Sequence, residues 1–366
     1  MLNRIKSHFL HFDWIIFSAV LLLSLFGLIE IYSIALGQES LSFSNFRKQI
    51  ISIALGLIIF IFFSFIDYNL LKSFNKYIYI FGVILLILVL IIGKTSRGTT
   101  GWFEFFGFSF QPVELIKIFL LIFLARFFSN SAVKMRPLKS LILSFLGTSG
   151  FVFLILLQPD FGSGIILYAI WFIILILVGF DRKYFLIIII PIIAGFFLAW
   201  NFYFQDYQKN RILTLLNQQE NSLSDSYNVS QALIAVGSGG FMGRGVGFGS
   251  QSQLKFLPEA QNDFIFSVIS EEFGFLGAGL VLALYFVLFW RLLLTVKKCN
   301  DDFAIFFVLG AMVLIFIEMF INIGMNMGVI PVVGISLPFV SYGGSGIIAN
   351  FILIGIIENM VIRNKA

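Results

Sequence analysis

The sequence predicts an all-α, polytopic membrane protein of about ten transmembrane helices, with one long extracytoplasmic loop and one re-entrant segment. Three observations carry this prediction. Of the 366 residues, 59% are hydrophobic and 12% charged, with a mean hydropathy of +1.00, too little polar surface for a chain folded in water. Apolar runs of about 20 residues recur along the chain, too continuous for buried strands and without the alternation of a membrane barrel. Finally, lysine and arginine favour one of the two alternating sets of loops.

The runs lie roughly at 14–35, 48–66, 76–93, 111–128, 140–158, 162–180, 184–202, 263–290, 303–325 and 344–362. The first has no short core followed by small residues, so it reads as a span rather than a cleaved signal. One set of helix ends holds fifteen basic residues and the other eight, with Lys117 inside a span. The loop around 130–140 carries Lys134, Arg136 and Lys139 with no acid. By the positive-inside rule both termini are cytoplasmic, in a multi-pass protein of one domain, 1–366. The polar segment 203–262 then faces outward. At about 60 residues it far exceeds an ordinary connection. Its centre, GSGGFMGRGVGFGSQSQ, mixes glycine with Phe241, Met242 and Phe248, as suits an ordered loop against the membrane. On the same side GVIPVVGISLPFVSYGGSG, with Pro331 and Pro338, predicts broken backbone, which membrane depth tolerates only inside protein or along a cavity. No internal repeat is visible, which counts against a transporter of inverted halves.

Several classes fall away. The net charge of +5 is scattered through short loops, so no nucleic-acid partner is implied. A single cysteine, Cys299, excludes an internal disulfide, and His8 and His11 make no metal site. There is no phosphate loop and no G-x-G-x-x-G after a strand. A divalent ion held by carboxylates stays open.

Charges inside the membrane are costly, so each is a candidate site residue. In FSFQPVELIKIF, Glu114 and Lys117 stand three apart on one helical face and can pair, as a structural lock or as part of a site. Asp160, in LLQPDFGSG, fits ordinary turn chemistry as well as function. In FLPEAQNDFIF, Asp263 stands where water meets lipid, after Pro258 and before the eighth run, so it is expected in the first turn of a helix. There it serves either as a capping acid or as a proton acceptor for a hydroxyl at the membrane surface. On one continuous helix Glu271 would lie about 80° round from Asp263 and Glu272 nearly opposite. Glu30, Glu318 and Glu358 read as single structural acids that pair across the bundle. The topology, set from lysine and arginine, places Glu114, Lys117, Asp160, Asp263 and both irregular segments near the outer leaflet, and a polar cavity opening outward accounts for that.

With these residues the chain resembles the SEDS family (shape, elongation, division and sporulation) over nearly its whole length. The resemblance rests on FSFQPVELIK, LLQPDFGSG, QALIAVGSGGFMGRGVGFGSQSQLKFLPEAQNDFIFSVISEEFGFLG and GVIPVVGISLPFVSYGGSG. The wording DYQKNRILTLLN and GSQSQLKFLPE is closer to the rod-elongation members than to the division members. Val113 stands where the family usually has serine, and Gln261–Asn262 where it has His-Thr. The resemblance implies a peptidoglycan glycosyltransferase that polymerises lipid II on the outer face of the bacterial cytoplasmic membrane during cell elongation. It implies a class B penicillin-binding protein as crosslinking partner, within the elongation machinery. Asp263 matches the family's essential acid, and Glu114, Lys117 and Asp160 match other functional positions. Lys117, Arg211, Arg244 or a divalent cation, magnesium or manganese, would balance the leaving pyrophosphate. Glu259 and Ser341, inside the matched stretches, are supporting candidates. The alternatives are a lipid II flippase, a division-type member and a scaffold for cell-wall enzymes.

Overall fold

The computed structural model describes residues 10–37, 43–96, 99–105, 108–130, 136–186 and 224–365. Twelve helices and three strands are distinguished among them: α1 (Trp14–Leu36), α2 (Ser44–Phe65), α3 (Tyr68–Ser73), α4 (Asn75–Ile92), β1 (Lys94–Ser96), β2 (Thr99–Phe105), β3 (Phe108–Phe110), α5 (Val113–Phe128), α6 (Pro137–Leu156), α7 (Phe161–Val178), α8 (Ser224–Ser238), α9 (Ser250–Gln253), α10 (Ile265–Lys298), α11 (Asp302–Asn326) and α12 (Gly344–Lys365). Eight of the helices are long and apolar enough to cross a membrane. The fourth predicted span appears as α5, only 16 residues long. The seventh, 184–202, lies outside the described residues from 187 onward, as does Arg211.

Local chemistry sets the helix starts. Asp13, Asp67 and Asp160 cap α1, α3 and α7, each side chain accepting a first-turn amide. Pro137 opens α6, where a missing N–H costs nothing. The apolar surfaces then bury one another: α12 packs on α2, α1 on α10, and α11 on α5 and α7. The long helix α11 is a largely buried centre, while α4 leaves most of its side chains facing outward, as a lipid-contacting helix does.

One departure from an all-helical chain appears. The segment 94–110 folds as a three-stranded antiparallel sheet, β1-β2-β3, closed by the Lys94–Glu104 ion pair at 2.6 Å. The backbone amide of Thr100 donates to Gln158, so the sheet sits over the start of α7.

The eighth run holds a second departure. Helix α10 is broken at Gly274, whose φ of 63° and ψ of −158° only glycine adopts readily. The opened backbone bonds to the glycine-rich loop: Arg244 and Gly245 donate to the carbonyls of Glu271 and Glu272, and Phe275 and Leu276 donate to those of Gly240 and Phe241. A Cβ on Gly274 would meet the Gly243 nitrogen at 2.3 Å. Gly274→Ala is therefore expected to destabilise the protein by about 1–3 kcal/mol from backbone strain alone. A lowered unfolding temperature in detergent, with faster proteolysis within 239–249, is the readout.

Among the described residues, polar groups gather at the two ends of the bundle. At one end Lys72 pairs with Asp301, Arg363 with Asp67 and Arg291 with Asp13, and the Asp13 amide donates to Glu358. At the other end lie Asp160, Asp263 and both irregular segments. Cys299, at the Arg291 end, is buried and its thiol is pushed up to about 11 by that burial. At neutral pH only roughly one molecule in ten thousand carries the reactive thiolate. Slow alkylation by maleimide at pH 7.5, and rapid alkylation after unfolding, is the expected result.

Candidate active site

Asp263 does not lie in the first turn of α10, as the sequence predicted. It precedes the N-cap, Phe264, and so stands two residues ahead of Ile265. The reason is local packing. In 256–264 the apolar Leu257, Ala260 and Phe264 recur at helical spacing and bury against Ile34 of α1 and Ala232 of α8. Between them Glu259 adopts a left-handed φ of 52°, a conformation that costs a non-glycine residue about 1–3 kcal/mol. Its carbonyl accepts the amides of Asn262 at 3.0 Å and Asp263 at 3.2 Å, and its carboxylate accepts from Asn262 Nδ2 at 2.5 Å. The polar residues are thereby turned away from the apolar floor, with Asp263 half-buried.

A second wall comes from 327–343, which is irregular along its length, as its prolines and glycines predicted. Ser341 Oγ accepts the Leu337 amide at 2.8 Å and donates to the Asn262 carbonyl at 2.6 Å, and the Tyr342 amide donates to the Gln261 carbonyl. Tyr285 of α10 donates its hydroxyl to the Pro338 carbonyl. From α2, Gln49 donates to the Ser341 carbonyl and Asn45 to the Gln261 side chain. Gly334, at φ 77°, lets the loop pass close to the carboxylate: a Cβ there would lie 3.6 Å from Asp263 Oδ2. The same loop reaches Asp160, because a Cβ on the neighbouring Gly162 would meet Val333 Cγ1 at 2.9 Å. Asp160 itself accepts from the Ser163 amide and hydroxyl and from Gln111 Nε2 at 3.5 Å. The 327–343 loop thus runs between Asp160 and Asp263.

The third wall is α11. Glu318, Asn322 and Asn326 are spaced four apart, so they share one face and climb about 6 Å per step. Lys117 Nζ is held between Glu114 Oε1 at 2.8 Å and Glu318 Oε1 at 2.5 Å, with Lys117 and Glu318 buried. The expected Glu114–Lys117 pair is therefore a triad, and Glu318 pairs across the bundle into it. A Cβ on Gly346, in the first turn of α12, would lie 3.7 Å from Glu114 Oε2. One and two steps along the same face, Asn322 Nδ2 and Asn326 Nδ2 both donate to the main-chain carbonyl of Asp263, at 3.0 and 2.8 Å. Helix α11 therefore links the triad to Asp263. The amides went unnoticed in the sequence, although Glu-x3-Asn-x3-Asn in an apolar helix is a readable polar stripe.

The remaining acids form a separate set. Glu271 accepts from Ser250 Oγ and the amides of Gln251 and Ser252; Glu272 accepts from Ser33 Oγ at 2.6 Å and from Gln253. Both carboxylates pin the glycine-rich loop to α10. Fully buried Glu30 stands near them, its carboxylate oxygens without a hydrogen-bond partner among the described residues. Arg244 belongs here too, donating to Ser250 Oγ at 3.0 Å. Among the described residues no group of three or more His, Cys, Asp or Glu side chains is arranged to hold a metal. At the opposite end, Asp13, Arg291 and Glu358 form a polar set that the sequence did not predict. A cavity of about 10 Å³ lies beside Asp13 and Arg291, lined also by Thr295, Lys298 and Asn364, with room for about one water.

The cell cycle protein model FTSW_RODA_SPOVE matches residues 13–366. The peptidoglycan glycosyltransferase MrdB of Escherichia coli (strain K12) is 34% identical over 359 residues, covering 97% of this chain and 95% of that protein. MrdB of Helicobacter pylori (strain ATCC 700392 / 26695) is 38% identical over 322 residues, covering 86% and 82%. Stage V sporulation protein E of Bacillus subtilis (strain 168) is 34% identical over 361 residues, covering 95% and 96%. Among solved structures, a chain from work on structural coordination of polymerization and crosslinking by a peptidoglycan synthase complex superposes with a TM-score of 0.82, at 26% identity, over 96% of this chain and 98% of that one. The rod shape determining protein RodA of Thermus thermophilus gives 0.69, at 26% identity, over 96% and 97%. Matched from residue 13 to the last, this chain belongs to the FTSW_RODA_SPOVE family of cell cycle proteins.

Proposed function

We propose that this chain is a peptidoglycan glycosyltransferase that polymerises lipid II into glycan strands, in the elongation rather than the division role, with Asp263 as general base. The observation that carries the proposal is the placement of Asp263. It is half-buried against Gly334, held through its backbone by α11, and shares that helix face with the Glu114–Lys117–Glu318 triad. The glycosyltransferase names of the relatives and the synthase complex among the structural neighbours support it.

The chemistry follows from the groups present. A carboxylate oxygen of Asp263 takes the proton of an acceptor sugar hydroxyl as that oxygen bonds to the anomeric carbon of the donor. The bond from the anomeric carbon to the polyprenyl pyrophosphate breaks on the opposite face, its electron pair leaving with the phosphate oxygen. The anomeric centre is inverted and no nucleotide is consumed. Lys117 is already neutralised by two carboxylates, so its part is to order the pocket rather than to meet the pyrophosphate alone. A magnesium or manganese ion fits as a companion of the substrate, since such ions take one or two carboxylates and complete their shell with phosphates and water.

Under the proposed orientation the Asp263 end faces the periplasmic side of the bacterial inner membrane, and both termini and the Arg291 end face the cytoplasm. A class B penicillin-binding protein, the crosslinking half of the reaction, is the proposed partner. The test is direct: purified protein, with and without that transpeptidase, is mixed with labelled lipid II and the products are resolved by size. Polymer is expected. Head-group translocation across liposomes without any polymer would favour the flippase instead.

A further inference from the structure

A helix that starts just after an aspartate ordinarily uses that side chain as its N-cap, which is why capping was the main alternative to chemistry for Asp263. Helix α10 does not. Its N-cap is Phe264, which makes no side-chain cap bond. The acceptor comes instead from another helix: Asn326 Oδ1 of α11 takes the Ser267 amide at 3.1 Å and the Ser267 hydroxyl at 2.6 Å. The other end of the same amide, Asn326 Nδ2, donates at 2.8 Å to the Asp263 carbonyl, whose second lone pair is taken by Asn322 at 3.0 Å. Asn322, Asn326 and Ser267 are all fully buried, so losing these bonds would leave their side chains without polar partners in the core. Asn322 also donates to the Ile335 carbonyl at 2.8 Å and so ties down the strand of loop next to Gly334.

We propose that Asn326 is the positioning residue of Asp263: by capping α10 from α11 and fixing the Asp263 carbonyl, it sets the direction of the Asp263 side chain. The proposal rests on the reading of Asp263 as the general base. With both lone pairs of the carbonyl engaged, the 263–264 peptide plane cannot rotate without breaking a buried bond. The Cα–Cβ direction of Asp263 is therefore set from α11 as well as from its own turn, where its amide bonds to the Glu259 carbonyl. Asp263 Oδ2 then stands beside Gly334, 3.6 Å from where a Cβ on that glycine would lie, and the substrate would approach from that side.

Asn326→Asp is the informative variant, because it keeps an oxygen for Ser267 and replaces the donor to Asp263 by an acceptor of the same shape. Misplacing a reacting group by about 1 Å costs on the order of 10²-fold, so kcat for lipid II polymerisation should fall by about that factor with KM nearly unchanged. The acidic limb of the pH–rate profile, which reports the base, should move. Asn326→Leu, which loses both bonds, should show the same kcat loss. A properly folded Asn326→Asp or Asn326→Leu protein with native kcat and pH profile would overturn the proposal. Failure of both variants to fold would overturn it too, since the residue would then be a structural cap. Asp263→Asn, measured alongside, separates the two levels. Activity in that variant removes the general base itself, whereas an inactive Asp263→Asn beside fully active Asn326 variants removes only the positioning role.

Discussion

Asp263→Asn is expected to lose about 10²–10⁴-fold in the rate of polymerisation, the usual contribution of a general base, while its unfolding temperature stays close to that of the unmodified protein. The stability half of this expectation comes from the structure. The backbone of residue 263 makes bonds that hold 256–264 in place: its amide to Glu259 and its carbonyl to Asn322 and Asn326. The start of α10 is capped by Asn326. An amide at 263 therefore leaves those bonds intact and removes the proton acceptor. Rates with labelled lipid II and thermal unfolding in the same detergent check both halves. A large fall in stability would return Asp263 to the role of a structural acid.

The largest expected loss of stability is at Lys117. Lys117→Met leaves the Glu114 and Glu318 carboxylates facing each other in a buried site without the cation between them. Breaking a buried ion set by removing one partner costs about 3–5 kcal/mol, because desolvated charge is left uncompensated. Adding Glu318→Gln should restore part of that loss, since it removes one of the two stranded charges. Thermal unfolding of the single and double variants in detergent is the measurement. If Lys117→Met unfolds at the native temperature, the triad is not the electrostatic unit that the geometry shows. Activity is expected to fall with stability, because Glu318 and the Asp263-holding amides share one face of α11.

The membrane-spanning helices were legible because each needs only length and apolarity, and both can be counted in the sequence. The sheet at 94–110 was missed although TTGWFEFFGFSF carries a strand-like pattern, because the flanking apolar runs dominate any window that includes it. The break at Gly274 had no local signal beyond one glycine; what opens the helix is the distant glycine-rich loop that takes its hydrogen bonds. Asp263 reads as part of the first turn of α10 but precedes it, because Leu257, Ala260 and Phe264 pack against α1 and α8, partners that the local sequence cannot reveal. Glu318 read as a bland structural acid since its partner, Lys117, is 201 residues away in the chain. Charges draw attention in an apolar sequence and neutral amides do not, so Asn322 and Asn326 stayed hidden at a spacing that was readable.

The central claim is that Asp263 opens onto a polar pocket at the periplasmic face. Asp263→Cys in otherwise unmodified protein tests it most directly, because the single native thiol, Cys299, is buried and shifted up to about 11 and so contributes little background. Labelling of position 263 in intact spheroplasts by a membrane-impermeant maleimide added outside is the predicted result. Labelling only after the membrane is permeabilised would contradict the account.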